Sequence, residues 1–282
     1  MYKDILFCTD GSPAAGVAGE YAIWFAKKLG GQLRALHVTD IRLLEGPWMA
    51  DLSGAVGAQP YAALVPQLEQ IQREKAATIL AAVEKEGRDA GVACEIAHET
   101  GTLIHVMLDY EERADIVVLG QHGEHAAWSE DTLGSSVERL VRASVKPCLV
   151  TSDKFVPIQH ILIAYDGSEE SYKALRAGIA LTAALGAKVT IASVAALGAE
   201  DVATENLRKA KLLAQGGGID AKLEPLHGDP ETEILLIRES VGANLIVMGA
   251  YGHTRIRELI LGSTTSHVLR KANVPVLLVR GK

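Results

Sequence analysis

Asp4-Ile5-Leu6-Phe7-Cys8-Thr9-Asp10-Gly11-Ser12 and His160-Ile161-Leu162-Ile163-Ala164-Tyr165-Asp166-Gly167-Ser168 are one segment written twice, 156 residues apart. Each is a short apolar run that ends in Asp-Gly-Ser, the form of a buried strand entering a turn. Further along, Asp115-Ile-Val-Val-Leu-Gly120-Gln-His-Gly123 answers Asn244-Leu-Ile-Val-Met-Gly249-Ala-Tyr-Gly252 at an offset of 129. Both copies close alike, with Lys146-Pro147-Cys148-Leu149-Val150 matching Val274-Pro275-Val276-Leu277-Leu278. The chain is therefore an internal duplication. The two offsets differ by 27 residues, so the first copy is longer in its middle.

Within each copy, Val/Ile/Leu-rich runs alternate with longer segments of helical period, the pattern of parallel strands joined by crossover helices. In the second copy strands are expected near 160–165, 188–194, 221–226, 244–249 and 274–279, with helices between them. Ser168 before Glu169 and Glu170 reads as an N-cap followed by an acidic first turn, and Pro230 as a helix start. Strands without polar alternation imply a sheet covered on both faces. The expectation is an α/β protein of two tandem doubly wound domains, over 1–152 and 158–282, joined by Asp153–Pro157. The extra residues of the first copy fall around 41–61, where Gly46, Pro47, Gly54, Gly57 and Pro60 suggest an irregular excursion into a long helix at roughly 61–89. Trp48 and Met49 in that excursion suit a lid, an interface or local core equally.

The chain has 282 residues, 48% of them apolar, and a net charge of −7, which is the make-up of an ordinary folded domain pair. Apolar stretches are far shorter than the roughly 20 residues of a bilayer span, so no membrane contact is expected. The N-terminus has no basic flank or cleavage site of a secretory signal, which points to a cytoplasmic address. Cys8, Cys94 and Cys148 are too widely spaced for a disulfide framework and read as small apolar residues. Residues 1–153 hold 13 basic and 22 acidic side chains, whereas 154–282 hold 15 and 13. The acidic first half excludes nucleic acid as a partner; the second suits a small anion.

Open α/β sheets bind ligands at the carboxyl ends of their strands where strand order reverses, so the loops after the first and fourth strands are the places to look. In the second copy the fourth-strand loop runs Gly249-Ala-Tyr-Gly252-His-Thr-Arg-Ile-Arg-Glu-Leu-Ile-Leu-Gly262-Ser263-Thr264. Glycines allow backbone to approach phosphate oxygens. Gly262-Ser263-Thr264 opens a helix running to about Lys271, which would aim free N–H groups and two hydroxyls at an anion. His253, Arg255 and Arg257 add positive potential. Taken singly, such glycines merely turn a chain; here position, hydroxyls and basic residues agree. Asp166 ends the first strand beside this loop, as a partner for ribose hydroxyls, a base amine or a cation, or else as turn chemistry. Val194 ends the second strand, where backbone groups can meet a base edge.

These residues resemble the universal stress protein family in its tandem, two-domain form, and the resemblance covers essentially the whole chain. Its most specific element is the ATP-binding pattern Gly-x2-Gly-x9-Gly-Ser/Thr, which Gly249, Gly252, Gly262 and Ser263 meet. The resemblance implies a five-stranded parallel sheet in each domain, of the adenine nucleotide alpha hydrolase-like type. It also implies ATP, with Mg, held by Asp166, Val194, Gly249, Gly252, Gly262, Ser263 and Thr264. The first-copy counterparts are Asp10, Val38, Gly120, Gly123, Gly134 and Ser135. There, ten residues separate Gly123 from Gly134, and Glu124, Glu130 and Asp131 stand where the second copy is basic. Weak or absent ATP binding is expected in the first copy, since like charge repels a polyphosphate.

Several other chemistries find no support. His98, His105, His122 and His125 lack a carboxylate or thiol at ligand spacing, so no metal is expected. No Gly-x4-Gly-Lys-Ser/Thr loop, no Gly-x-Gly-x-x-Gly after a first strand and no Gly-x-Ser-x-Gly elbow is present. The sequence reading is a nucleotide-dependent regulatory protein with no assigned catalytic residue. A slow ATPase or autophosphorylating enzyme, and a scaffold without nucleotide, are the alternatives. The closing strands, 145–151 and 274–279, are edges that suit a homodimer or pairing with each other inside one chain.

Overall fold

The computed structural model describes residues 2–41, 58–123, 134–196, 198–250 and 261–280. In the first half these form β1 (Asp4–Cys8), α1 (Pro13–Leu29), β2 (Gln32–Asp40), α2 (Ala58–Ala90), β3 (Cys94–Gly101), α3 (Leu103–Glu111), β4 (Ile116–Gly120), α4 (Ser135–Ala143) and β5 (Cys148–Thr151). The second half repeats the series as β6 (His160–Ala164), α5 (Glu169–Leu185), β7 (Lys188–Ala195), α6 (Glu200–Gly216), β8 (Lys222–His227), α7 (Pro230–Val241), β9 (Leu245–Gly249), α8 (Ser263–Lys271) and β10 (Val276–Val279). The five strands expected in the second copy are all present. The long helix of the first copy is α2, 33 residues against 17 in its counterpart α6. The irregular excursion at 41–61, with Trp48 and Met49, lies mostly outside the described residues.

All ten strands join one sheet in the order β3-β2-β1-β4-β5-β10-β9-β6-β7-β8. Each half is a parallel, doubly wound five-stranded sheet whose order reverses between β1 and β4, and again between β6 and β9. The halves meet where β5 and β10 pair antiparallel, Val276 against Val150 and Leu278 against Cys148. The two closing edges thus consume each other within one chain.

Why these residues make these elements is visible in their burial. Ile5–Cys8, Ile116–Gly120 and Leu245–Gly249 are buried at every position, as befits strands covered on both faces. One core, including Tyr21, Phe25, Leu80, Leu149, Leu175, Leu207 and Leu277, lies under α1, α2, α5 and α6. The other, including Ile104, Leu140, Val150, Ile234, Val268 and Leu278, lies under α3, α4, α7 and α8. Both cores run across the β5–β10 seam without a break, and burial of this kind stabilises by about 25 cal/mol per Å² of apolar surface. The linker is pinned rather than loose. Tyr21 Oη donates to the Lys154 carbonyl at 3.3 Å and accepts from Val156 N at 3.1 Å, while the Phe155 ring stacks edge-on 4.8 Å from Tyr21. On its far side Asn244 accepts from Gln159 N and His160 N, both at 3.0 Å. Asp115, its counterpart in the repeat, holds Lys3 N and Asp4 N the same way, at 2.8 and 3.2 Å.

Candidate functional site

Asp10, Gly120 and Gly134, with their counterparts Asp166, Gly249 and Gly262, lie at the carboxyl ends of the strands, at the two points where strand order reverses. In the second half the chain of contacts starts at Asp166, whose Oδ1 accepts from Ser168 N at 3.0 Å and Ser168 Oγ at 2.6 Å. Ser168 in turn caps α5, accepting from Ser171 N at 3.2 Å. Gly249 abuts this first turn: a Cβ there would stand 3.0 Å from Glu170 Cβ and 3.1 Å from Ser171 N, so only glycine lets β9 end so close. From the other side Thr265 Oγ1 donates to the Gly249 carbonyl at 3.2 Å, tying the first turn of α8 to the end of β9. Val194, partly buried against the α7/α8 core, shares this side of the sheet. Asp166, Gly249, Gly262, Ser263 and Thr264 are therefore brought together, Val194 lies on β7 on the same side of the sheet, and Gly252, His253, Arg255 and Arg257 lie outside the described residues.

The first half keeps the same scaffold. Asp10 Oδ1 accepts from Ser12 N at 2.9 Å, and Ser12 caps α1 through Ala15 N at 3.2 Å. A Cβ on Gly120 would lie 2.8 Å from the Ala14 carbonyl, and one on Gly123 would lie 3.1 Å from Asp10 Oδ2. Gly134 N donates to the Gln121 carbonyl at 3.2 Å, which draws Gly134 and Ser135 to the same loop. Val38 sits on β2 as Val194 does on β7. Glu124, Glu130 and Asp131 lie outside the described residues.

What separates the halves is the helix that each loop opens. α1, α5 and α7 begin with side-chain caps from Ser12, Ser168 and Asp229. α4 and α8 begin at Gly134 and Gly262, which have no side chain to lend to the orphaned N–H groups. Their first turns differ in charge: α4 carries Glu138 there, paired with Arg142 at 3.3 Å, and α8 carries no acid. Helix N-termini bear partial positive charge, which Glu138 partly cancels in α4 and no first-turn residue cancels in α8.

The floor beside each Asp-Gly-Ser turn differs as well, in ways no motif revealed. Gly167 has φ +83°, and a Cβ there would meet Asn206 Oδ1 at 2.6 Å; Gly11, at φ +81°, has Ile79 in the same place. Asn206 donates through Nδ2 to Ser193 Oγ at 3.3 Å, both groups buried. In the first half the strand position of Ser193 is His37, whose Nδ1 donates to the Thr9 carbonyl at 2.9 Å and whose ring is 5.7 Å from that of His98. Burial pushes both imidazoles below the usual histidine range. Burial, then the Asp166 carboxylate, raises the Tyr165 phenol. The signal for Asn206 was available only by aligning two helices of unlike sequence. Among the described residues, no group of three or more His, Cys, Asp or Glu side chains is placed to hold a metal ion.

The sequence model of the universal stress protein family matches residues 1–152 and again 157–280. The chain belongs to the universal stress protein family. A relative within it, universal stress protein Slr1230 of Synechocystis sp., is 38% identical over 99% of this chain and 100% of its own length. Among solved structures, a universal stress protein from Archaeoglobus fulgidus superposes with a TM-score of 0.79 at 24% identity, covering 99% of both chains. A universal stress protein of Pseudomonas aeruginosa gives a TM-score of 0.65 at 15% identity, over 99% of this chain and 93% of its own. These two likenesses concern the fold, and both span the tandem arrangement. Among the described residues of this universal stress protein, no helix is long and apolar enough to cross a membrane.

Proposed function

We propose that this protein binds one adenine nucleotide, ATP, in its second half and acts as a nucleotide-dependent regulatory protein of the stress response. The observation that carries the reading is the start of α8. Its N-cap residue is Gly262, which lends no side-chain cap, its first turn is free of acid, and among the described residues Gly249 and the Asp166 turn lie beside it. That is the arrangement by which a helix N-terminus receives phosphate. Asp166, an acceptor at the end of β6, suits the ribose, and Val194 suits the base edge. The segment between Gly249 and Gly262 supplies His253, Arg255 and Arg257 in sequence, against the acids of the first-half loop. Magnesium enters with the phosphates, as it commonly does for nucleotides, rather than through a protein cage. The first half, with Glu138 at the head of α4, acts as the companion domain that nucleotide binding addresses.

Ser263→Asp tests this directly. A carboxylate in the first turn of α8 complements the helix dipole, so the fold keeps its stability, yet it repels the phosphates from the same N–H groups. Calorimetric titration should show ATP affinity falling by about tenfold or more, with an unchanged or raised melting temperature. Wild-type affinity in the Ser263→Asp chain would contradict the site.

A further inference from the structure

One side chain joins the two halves at the loops that matter. Gln121 sits inside the first-half loop Gly120-Gln121-His122-Gly123 and is 6% exposed. Its carbonyl accepts from Gly134 N, at the head of α4. Its side-chain amide crosses the seam, where Nε2 donates to the Leu269 carbonyl and, at 3.4 Å, to the Arg270 carbonyl. Those carbonyls close α8, the helix whose opposite end carries Ser263 and Thr264. α8 has nine residues, so its two ends lie only about 13 Å apart.

The last carbonyls of a helix have no partner within it, and a donor that satisfies them fixes the helix along its axis. For α8 that donor comes from the first half. The counterpart of Gln121 in the repeat is Ala250, which has no side-chain amide to return the contact. The end of α4 is held from a different place: Arg280, just past β10, donates through Nη1 to the Arg142 and Ser144 carbonyls. Among the described residues, this link across the seam comes from the first-half loop.

We propose that Gln121 is a positioning residue through which the first-half loop sets the placement of α8 and so the affinity of the second half for nucleotide. Resting on the nucleotide reading above, this gives the first half a role that needs no ATP of its own. Any ligand or partner that orders the Gly120–Gly123 loop biases α8, and nucleotide on α8 biases that loop by the same factor.

The test uses the full chain and three variants. Gln121→Leu keeps bulk and removes the donor; Gln121→Lys keeps a donor to the same carbonyls; Arg280→Leu loosens the α4 end instead. Gln121→Leu should weaken ATP about fivefold or more by calorimetry, Gln121→Lys should restore it, and Arg280→Leu should change melting temperature without changing affinity. In the ligand-free chain, amide hydrogen exchange over 263–271 should quicken in Gln121→Leu and not in Gln121→Lys. Wild-type exchange and affinity in Gln121→Leu, or an equal loss in Arg280→Leu, would overturn the coupling. A wild-type chain that binds no ATP, yet shows the exchange effect, would overturn the nucleotide reading and keep the coupling.

Discussion

Ser12 and Ser168 show how far one residue type can carry two duties. Each accepts a single first-turn N–H at 3.2 Å, so Ser12→Ala and Ser168→Ala should cost similar stability, about 1 kcal/mol, by denaturant unfolding. They differ in their second partner. Ser168 Oγ also donates to Asp166 at 2.6 Å, and losing it removes one of the donors that orient the carboxylate at the proposed ribose position. Ser168→Ala should therefore also weaken ATP in a calorimetric titration, and Ser12→Ala should not; equal effects on affinity would count against the role of Asp166. At this scale the sequence was legible where chemistry is local. Asp-Gly-Ser and Gly-x-x-Gly announce turns that need a positive φ or close backbone approach, and the structure has Gly167 at φ +83° and Gly249 pressed on α5. Gln121 and Asn206 were not legible as linking residues, because their partners lie 148 and 13 residues away and belong to no periodic pattern.

Among the elements, helix existence and order followed from the alternation of apolar runs with helical segments, and their ends from caps. The helix expected over roughly 61–89 is Ala58–Ala90, and the one opening at Gly262 ends at Lys271 as expected. Pro230 does start α7, with Asp229 as its cap. What composition alone did not rank was the difference between α4 and α8. Both open with Gly-Ser and a second hydroxyl residue, but the fourth helical position is Glu138 in one and Ser266 in the other. In a helix dipole that single exchange makes the start of α4 less favourable to an anion than the start of α8, because charge acts most strongly in the first turn. The acids of the first-half loop pointed the same way from sequence.

As a whole molecule, the protein is a tandem whose halves share one sheet and two continuous cores. Sequence left open whether the closing strands meet a second chain or each other, since an edge strand offers the same unpaired groups to either. The register of β5 on β10 places the seam inside the chain. Leu277, fully buried at that seam, belongs to the core beneath α1 and α5 together. Leu277→Ala should cost about 2–5 kcal/mol and should be felt on both sides. Trp24, Trp48 and Trp128, the only tryptophans, all precede residue 153, so fluorescence watches the first half although the change is in the second. Fluorescence and circular dichroism midpoints should fall together. A fluorescence midpoint that stays put while dichroism shifts would mean that the halves unfold independently.

The asymmetry of the two sites is the centre of the account, and stoichiometry addresses it most directly. Nucleotide released from the denatured, freshly purified protein is identified by chromatography and mass, and the emptied chain is titrated with ATP by calorimetry. One ATP per chain is the predicted result, held by the half that contains α8; two per chain, or none by either method, would contradict it.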